Sequence, residues 1–420
     1  MQVKGALEVC CMLKGKEIVL GVTGGIAAYK AVELLRLLTR GGANVHVVMT
    51  RAAMEFVAPL TFQTLSMNQV HTDLFKLISE REIGHIALAD RADLLVIAPA
   101  TANCIGKLAS GIADDLLTTT VMATKAPVLI APAMNVNMYE NALFGENVGK
   151  LRQHGFIFVE PVKGMLACGW EGEGKLQEPQ IIFEEVVAAL AVKDLAGEKV
   201  LITAGPTREE LDPVRYLSNH SSGKMGYAIA RAAYRRGAKV TLVTGPTSLK
   251  EPYGVETIKA VSAAEMHEKV LSCFTESSVI IKAAAVADYR PRLRADKKIK
   301  KSDKTVTLDL LKNPDILAEL GRRKEARLLV GFAAETGDLE KNAGKKLVEK
   351  NLDMVVANDI CQAGAGFNVD TNCVTLLFRD GRVENLPLMQ KDALADVILD
   401  RVVALLRGKA GQGLLPGTVT

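Results

Sequence analysis

The strongest constraint on the fold is the alternation of short apolar segments with amphipathic helical patterns along most of the chain. In the first half, apolar segments that predict strands lie at residues 18–22, 45–49, 94–98 and 128–131. Apolar residues recur every three or four positions from residue 26 to residue 40, which predicts a helix between the first two strands. Strands that alternate with helices are typical of parallel sheets, and strands that are apolar throughout indicate helices on both faces.

The same pattern restarts near residue 198. Residues 16–20 (KEIVL) have a counterpart at residues 198–202 (EKVLI), and a chain of 420 residues exceeds what one hydrophobic core usually organises. Further strands are predicted at residues 200–203, 240–243, 279–282, 329–332 and 354–357, followed by an antiparallel hairpin at residues 374–378 and 383–386. We therefore predict an α/β protein with two doubly wound, Rossmann-like domains and largely parallel sheets. The predicted bounds are an extension at 1–15, a first domain at 16–194, a second at 195–407 and a disordered tail at 408–420.

Composition limits the classes of protein to which this chain can belong. Hydrophobic residues make up 49% and charged residues 24%, which is typical of globular proteins rather than disordered ones. The apolar runs are shorter than the ~20 residues of a membrane span, so no membrane association is expected. The seven cysteines include no C-x-x-C pair, which argues against a disulfide framework and a structural zinc site and favours the reducing cytoplasm. A net charge of +4 is too small to indicate a nucleic-acid-binding protein.

Small and polar residues follow three of the predicted strands in the first half. They lie at residues 21–26 (GVTGGI), 49–52 (MTRA) and 98–103 (APATAN). The carboxyl ends of parallel strands form the crevice in which doubly wound sheets bind ligands, and glycines there let backbone amides approach a phosphate. The first turn lacks the G-x-G-x-x-G spacing of dinucleotide-binding proteins. Together, the three strand ends predict a mononucleotide site.

Several segments of the first half, in this order and spacing, resemble the homo-oligomeric, flavin-containing cysteine decarboxylases. They are residues 84–86 (GHI), 93–103 (DLLVIAPATAN), 111–117 (GIADDLL), 132–138 (PAMNVNM) and 164–169 (GMLACG). The resemblance implies a flavodoxin-like domain that binds FMN through Gly24, Thr50, Ala98, Thr101 and Asn103.

The same resemblance assigns catalytic roles to three residues. His85 is expected to act as base or positioning group, Asn135 to hold the carboxylate and amide of the substrate, and Cys168 to donate the final proton. Decarboxylation needs an acceptor for the electron pair that CO₂ leaves behind. In this family FMN creates the acceptor by oxidising the substrate thiol to a thioaldehyde, and it later returns the hydride. No net oxidation results.

A long polar loop at residues 203–226 dominates the start of the second half. Its hydroxyls, amides and basic residues suit phosphate, although a plain surface loop remains the alternative on composition alone. This loop, with residues 283–289 (AAAVADY), 298–301 (KIKK), 312–315 (KNPD) and 331–336 (GFAAET), resembles the phosphopantothenate–cysteine ligase domain. Both domains stand in the order of the bacterial bifunctional proteins of coenzyme A biosynthesis.

The resemblance to the ligase domain implies a CTP-dependent reaction with Mg²⁺. The substrate carboxylate attacks the α-phosphate of CTP, and the amine of cysteine then displaces CMP from the acyl-cytidylate. Asn219 is expected to stabilise the acyl-cytidylate, and Arg215 its attack by cysteine. The residues expected to contact the nucleotide are Asp288, which also lies near the metal, together with Phe332, Lys298, Lys300, Lys345 and Lys350.

A basic run at residues 290–304 contains eight lysines and arginines but only two aspartates. A charge run of this kind is usually a solvated loop. The alternative is a clamp on a polyanionic substrate such as a triphosphate, and composition does not decide between the two.

Two other classes of protein were weighed against this interpretation. A non-catalytic regulatory flavoprotein would be free to lose His85, Asn135 or Cys168, and all three are present. An NAD-dependent oxidoreductase would carry an acidic residue at the end of the second strand, where this chain has Thr50 and Arg51. The family also implies a homo-oligomer with trimeric flavin units and dimeric ligase units, which a dodecamer would satisfy.

Overall fold

The computed structural model describes residues 12–74, 84–165, 169, 171–300, 307–335, 337–359, 364, 366 and 368–412. The chain divides after Ala191 into two compact units. The division lies close to the boundary predicted between residues 194 and 195. Each unit contains its own central sheet with helices on both faces.

The first unit is built on a five-stranded parallel sheet with the order β2-β1-β3-β4-β5. This is the flavodoxin-like order, so the predicted fold class is confirmed for this unit. Two more strands form a separate antiparallel hairpin. The strands are β1 (Glu17–Val22), β2 (Asn44–Met49), β3 (Leu94–Ala100), β4 (Val128–Pro132), β5 (Ile157–Phe158), β6 (Val162–Met165) and β7 (Glu171–Lys175).

Helices cover both faces of this sheet. They are α1 (Ala28–Arg40), α2 (Arg51–Met54), α3 (Pro59–Ser66), α4 (Gly84–Arg91), α5 (Ala102–Ser110), α6 (Leu116–Ala123), α7 (Val136–Tyr139), α8 (Ala142–Gln153) and α9 (Pro179–Leu190). Leu34 and Leu38 of α1 pack with Phe183 of α9 on one face. Ile105 of α5 and Phe144 of α8 pack on the other. The predicted apolar face of the first helix is therefore confirmed as core.

The prediction of a peripheral extension at residues 1–15 is wrong for its last part. Leu13 is 1% exposed and packs in the same core as α1. Its backbone N–H donates to the Gly41 carbonyl at 2.9 Å, so the turn before β1 is anchored to the end of α1. Met12 and Leu13 end a short apolar run before Lys14, which gave no periodicity from which this burial could be predicted. Residues 1–11 lie outside the described residues.

The second unit contains an eight-stranded sheet with the order β12-β11-β8-β13-β16-β17-β19-β20. The first six strands are parallel, and the last two continue the sheet as the antiparallel hairpin that the sequence predicts. Counted from β8, the six parallel strands have the 3-2-1-4-5-6 order of the Rossmann fold. The strands of the large sheet are β8 (Lys199–Ala204), β11 (Lys239–Thr244), β12 (Glu256–Lys259), β13 (Val279–Lys282), β16 (Leu328–Glu335), β17 (Met354–Asp359), β19 (Val374–Phe378) and β20 (Val383–Asn385).

Three small antiparallel pairs project from this sheet. They are β9 (Arg208–Glu210) with β10 (Tyr216–Ser218), β14 (Tyr289–Pro291) with β15 (Leu310–Lys312), and β18 (Thr371–Asn372) with β21 (Met389–Gln390). The helices of the unit are α10 (Lys224–Arg235), α11 (Ala263–Phe274), α12 (Ile316–Arg322), α13 (Leu339–Glu349) and α14 (Lys391–Gln412). Helices α10 and α14 pack on one face of the sheet, and α11, α12 and α13 pack on the other.

The prediction of a disordered tail from residue 408 is wrong for residues 408–412, since α14 continues to Gln412. Leu394, Ile398 and Val402 of this helix are fully buried in the core of the unit. Near its end, the Lys409 ammonium donates to the Arg327 carbonyl at 3.1 Å and pairs with Asp353 at 3.2 Å. These contacts offset the cost of Gly408 in a helix. Residues 413–420 lie outside the described residues.

No helix in the described ranges is both long and apolar enough to cross a membrane.

Candidate active sites

A cavity of about 540 Å³ opens at the carboxyl ends of the strands in the first unit. Its size is typical of small-molecule sites, and it lies where doubly wound sheets bind their ligands. The lining is mainly apolar and glycine-rich, and includes Gly24, Ile26, Thr101, Met134, Met138 and Met165.

Close packing of three strand ends forms the floor of this cavity. The Thr23 hydroxyl donates to the Pro99 carbonyl at 2.8 Å, and Thr23 Oγ1 accepts from the Thr101 N–H at 3.0 Å. A Cβ atom at Gly24 would lie 2.4 Å from the Cβ of Ala52. Only glycine therefore fits where the turn after β1 meets the start of α2.

The structure brings some of the predicted flavin-binding residues into the cavity and leaves others beside it. Gly24 and Thr101 line the cavity. Thr101 is the N-cap of α5 and Thr50 the N-cap of α2, each accepting a backbone N–H bond at 3.3 Å. Ala98 is fully buried within β3, and Asn103 is exposed on the first turn of α5. Thr50, Ala98 and Asn103 do not line the cavity.

The loop that carries Asn135 packs directly against the β6–β7 hairpin. The Met134 N–H donates to the Gly174 carbonyl at 2.9 Å, and a Cβ atom at Gly172 would lie 2.5 Å from Val136 Cγ2. Asn135 is the N-cap of α7, and its Oδ1 accepts the Asn137 N–H at 2.9 Å. Cys168, which follows β6 and precedes β7 in the sequence, lies outside the described residues. The loop that carries Asn135 is thus a neighbour in space of β7, which lies further along the chain.

His85 lies in the first turn of α4 and is not among the residues that line the cavity. Its Nδ1 atom is buried and makes no hydrogen bond to any described residue. Buried polar atoms are almost always hydrogen-bonded, and a buried nitrogen without a partner does not stabilise the fold. The position of His85 is therefore more consistent with a functional role.

The second unit has a cavity of about 500 Å³ at the carboxyl ends of β13, β16 and β17. The polar loop at 218–226 and the start of α10 form one wall, and the segment 282–288 after β13 forms another. It lies at the switch point of the strand order, between β8 and β13, where Rossmann-like sheets bind nucleotides.

Four of the residues predicted for the ligase line this cavity, namely Asn219, Asp288, Phe332 and Lys350. The Asn219 amide donates to the Ala285 carbonyl at 3.1 Å, which holds the polar loop against the segment after β13. The Lys350 ammonium pairs with Asp315 at 2.8 Å. Arg215, Lys298 and Lys300 do not line the cavity.

Lys345, a predicted nucleotide contact, does not line this cavity, whereas its neighbour Lys346 does. Lys345 is exposed and lies 3.7 Å from Glu349 on the solvent side of α13. The Lys346 ammonium instead enters the cavity and donates to the Phe332 carbonyl at 2.6 Å. The spacing of four between Lys346 and Lys350 puts both on one face of a helix, and this signal was available in the sequence.

Lys282 and Lys391 line the same cavity and were not among the predicted site residues. Burial, and after it the charge of Lys346, lowers the pKa of Lys282 to about 8. Burial and the charge of Lys224 lower the pKa of Lys391 to about 8. Several lysines gathered in one cavity, with pKa values lowered by burial and by neighbouring cations, are typical of a site for an anionic ligand.

One buried acceptor in this cavity has no partner among the described residues. Asn358, at the end of β17, is 9% exposed, and its Oδ1 atom accepts no hydrogen bond. No group of three or more His, Cys, Asp or Glu side chains that could hold a metal ion occurs in the described part of the chain. Asp288 is exposed, and Asp315 is the second carboxylate among the residues that line this cavity.

Comparison with known proteins identifies both units. Residues 8–191 match the Flavoprotein family, and residues 195–406 match the DNA/pantothenate metabolism flavoprotein C-terminal domain. The chain is 52% identical over 398 residues to the coenzyme A biosynthesis bifunctional protein CoaBC of Bacillus subtilis (strain 168), with 94% of this chain and 98% of that protein covered. It is 47% identical over 396 residues to the protein of the same name from Escherichia coli (strain K12), with 93% and 97% covered.

Two solved structures are similar to the separate units. The C-terminal domain of a CoaBC protein is 45% identical, with a TM-score of 0.45, and the match covers 51% of this chain and 99% of that one. A cysteine-to-serine mutant of a PPC decarboxylase complexed with pantothenoylaminoethenethiol is 32% identical, with a TM-score of 0.38 and coverages of 41% and 96%. From the identity along nearly the whole chain and the order of its two domains, the chain belongs to the family of bifunctional phosphopantothenoylcysteine decarboxylase and phosphopantothenate–cysteine ligase enzymes of coenzyme A biosynthesis.

Proposed function

We propose that this chain joins 4′-phosphopantothenate to cysteine at the expense of CTP and then decarboxylates the product to 4′-phosphopantetheine with FMN. One observation carries the proposal: each unit has a cavity at the carboxyl ends of its strands, and the two cavities differ in the chemistry of their lining. The first is apolar and glycine-rich, and the second is lined by lysines. We further propose domain bounds near residues 16–194 and 195–407, and a cytoplasmic location.

In the ligase unit, the lysine-lined cavity is suited to the phosphates of CTP. Lys346 lies on α13, Lys350 caps the carboxyl end of this helix, and Lys282 is at the end of β13. Charge that develops on phosphate oxygens during attack on the α-phosphate is stabilised by such fixed cations. Asn219 is held by the Ala285 carbonyl and is proposed to orient the acyl-cytidylate.

The exposed carboxylate of Asp288 fits a magnesium ion that arrives with the nucleotide. Mg²⁺ usually keeps several waters and binds through substrate phosphates plus one or two carboxylates. Asp288 and Phe332 are also proposed to contact the cytidine. Lys298, Lys300 and Arg215 do not line the cavity of their own chain. We propose that they nevertheless contribute to the ligase reaction.

In the decarboxylase unit, the cavity fits a flavin because it combines a glycine turn with a mainly apolar lining. The close contact of Gly24 with Ala52 leaves the backbone of the turn open toward the cavity. Bound FMN would supply reversible oxidation of the substrate thiol. Asn135 would bind the carboxylate and amide of the substrate, His85 would hold or move a proton at its imidazole, and Cys168 would donate a proton.

We propose that the chain works as a homo-oligomer, because apolar side chains are exposed around both sites. Ile26, Met138 and Met165 at the flavin cavity are between 48% and 67% exposed. On the small hairpins of the second unit, Val214 and Leu293 are 59% and 83% exposed. Self-association would bury these groups and would allow His85, Arg215 and Lys298 to complete the site of a neighbouring copy. Trimeric flavin units, dimeric ligase units and a dodecamer are the proposed forms.

A single incubation tests the proposed function. Purified protein is mixed with 4′-phosphopantothenate, cysteine, CTP and Mg²⁺, the products are identified by mass spectrometry, and a visible absorption spectrum is recorded. We expect phosphopantetheine, CMP and pyrophosphate from a yellow protein. A yellow protein that releases no CMP and no phosphopantetheine would favour a non-catalytic regulatory flavoprotein instead.

The pH dependence of CTP use follows from the Lys282 pKa of about 8. The triphosphate binds the protonated ammonium, so the contribution of Lys282 is complete at lower pH and is lost as the pH rises through about 8. We expect the KM for CTP to rise several-fold between about pH 7 and about pH 9.5, because Lys282 and Lys391, which both have a pKa of about 8, lose their charge. The check is a KM profile of the parental protein and of Lys282→Met, in which the part of the rise that comes from Lys282 should be absent.

A further inference from the structure

Asp212 is a fully buried carboxylate that accepts five hydrogen bonds in the turn between β9 and β10. Its Oδ1 atom accepts the backbone N–H groups of Val214 and Arg215 at 2.8 and 2.9 Å. Its Oδ2 atom accepts Nε and Nη2 of Arg215 at 3.0 and 2.6 Å. The fifth bond comes from the backbone N–H of Ile299 at 3.1 Å.

The bond to Ile299 links the turn to the basic run, 87 residues further along the chain. Arg215 completes the link, because its Nη2 donates to the Ile299 carbonyl at 2.9 Å. Both backbone polar groups of Ile299 are thus held by the Asp212–Arg215 ion pair. Ile299 lies between Lys298 and Lys300, so the pair fixes the backbone that carries both lysines.

The rest of the segment follows the same hairpin. The Ala295 N–H donates to the Leu211 carbonyl at 2.9 Å, and Arg294 pairs with Glu210. The backbone of the basic run is therefore anchored to this hairpin as far as Lys300, although the side chains of Lys298 and Lys300 are exposed. The bonds from Arg215, and then those from the backbone, hold the pKa of Asp212 well below its usual range, so the carboxylate stays charged.

The Asp380–Arg382 pair of the same unit is an example of an Asp–Arg ion pair with a purely local role. Asp380 accepts the Arg382 N–H at 3.1 Å and Arg382 Nε at 2.7 Å, and both side chains are more than half exposed. That pair only closes the turn of the β19–β20 hairpin. Asp212 makes the same local bonds, but it is buried and reaches a distant segment as well.

We propose that Asp212 is a positioning residue of the ligase, which locks Arg215 and the segment of Lys298 and Lys300 into one unit. The inference rests on the function proposed above, in which Arg215 serves the attack by cysteine and Lys298 serves CTP. A single carboxylate then sets the geometry for both half-reactions. Neutralising it would loosen the two groups together.

The test is Asp212→Asn in the full-length protein, with Asp380→Asn as the matched control. The five hydrogen bonds to Asp212 use both oxygen atoms of the carboxylate, whereas an asparagine side chain has only one oxygen acceptor. The Asp212→Asn variant therefore cannot hold both the Arg215 side chain and the Ile299 backbone. We expect the KM for CTP to rise roughly tenfold or more, as for loss of a hydrogen bond to a charged group, and the acyl-cytidylate to accumulate. The control should keep parental values. Lys298→Gln should raise the KM for CTP by a smaller factor in the Asp212→Asn background than in the parental protein, because the segment that carries Lys298 is no longer held in place.

A parental KM for CTP in folded Asp212→Asn, with normal conversion of the acyl-cytidylate, would overturn the inference. A fall in kcat alone at unchanged KM would also overturn it, since loss of correctly folded protein has that signature. If Asp212→Asn does not fold, hydrogen exchange at the Ile299 amide of the parental protein decides. Slow exchange is expected from the bond to Asp212, and exchange as fast as in an unstructured peptide would contradict it. Parental protein that releases no CMP would instead refute the proposed function.

Discussion

Lys346→Gln is expected to raise the KM for CTP by roughly 10- to 100-fold, whereas the same change at Lys345 should leave it unaltered. The two lysines are adjacent in sequence, but α13 points them in different directions. Lys346 lines the cavity and is held at the Phe332 carbonyl, while Lys345 is exposed beside Glu349. Glutamine preserves length and polarity but removes the charge that a phosphate would bind.

Comparison of Lys346→Gln with Lys345→Gln also distinguishes an effect on CTP binding from an effect on the stability of the fold. Burial, and then the charge of Lys350, lowers the pKa of Lys346, so its charge is costly in the absence of a ligand. Neutralising it should therefore not reduce, and should slightly raise, the thermal stability of the ligand-free protein. The KM for CTP is measured by pyrophosphate release, and the melting temperature by calorimetry. Equal effects of the two substitutions on KM would contradict the placement of the nucleotide in this cavity.

The sheets could be predicted from the sequence because their strands are continuous apolar runs. The strands from β1 to β4 and the hairpin of β19 and β20 begin and end within a few residues of their predicted bounds. Burial on both faces makes every position of such a strand apolar, so the signal needs no knowledge of the tertiary structure. The carboxyl ends of these strands then locate the two cavities.

The lining of the cavities was predicted less well, because it depends on the rotation of helices and on distant segments. A shift of one position along α13 exchanges Lys346 for Lys345, since successive residues point 100° apart. Lys391 reaches the nucleotide cavity from the start of α14, far along the chain from the motifs. Leu13 and the last turn of α14 are held by contacts that a local pattern does not contain.

The role proposed for Asp212 could not be predicted from the sequence motifs. It stands in the same segment as Arg215 and Asn219, and the basic run was recognised separately. The hydrogen bond between Asp212 and Ile299 joins the two, and this contact could be found only from the fold. It also orders the backbone of the basic run as far as residue 300, while the choice between a solvated loop and a clamp on a polyanionic substrate stays a prediction.

Replacing His85 by asparagine is expected to slow decarboxylation by about 10²- to 10⁴-fold, the range for loss of a proton-transfer group, while the ligase continues. Phosphopantothenoylcysteine should then accumulate in the complete reaction mixture. The His85 Nδ1 atom is buried without a partner among the described residues, so the substitution breaks no described bond of that atom. Because no hydrogen bond to a described residue is lost at this atom, we expect an unchanged melting temperature and an unchanged flavin spectrum.

His154→Asn supplies the control, because His154 is an exposed histidine at the end of α8 in the same unit. Decarboxylation is followed as CO₂ release from supplied phosphopantothenoylcysteine, so that the ligase step does not enter. Parental CO₂ release by His85→Asn would exclude a role in proton transfer, and the unpaired nitrogen would then need a partner outside the described residues. Loss of activity together with loss of bound flavin would point to a role in holding the cofactor. Loss of CO₂ release with flavin retained is the result that assigns His85 to the chemistry, even though it lies outside the cavity of its own chain.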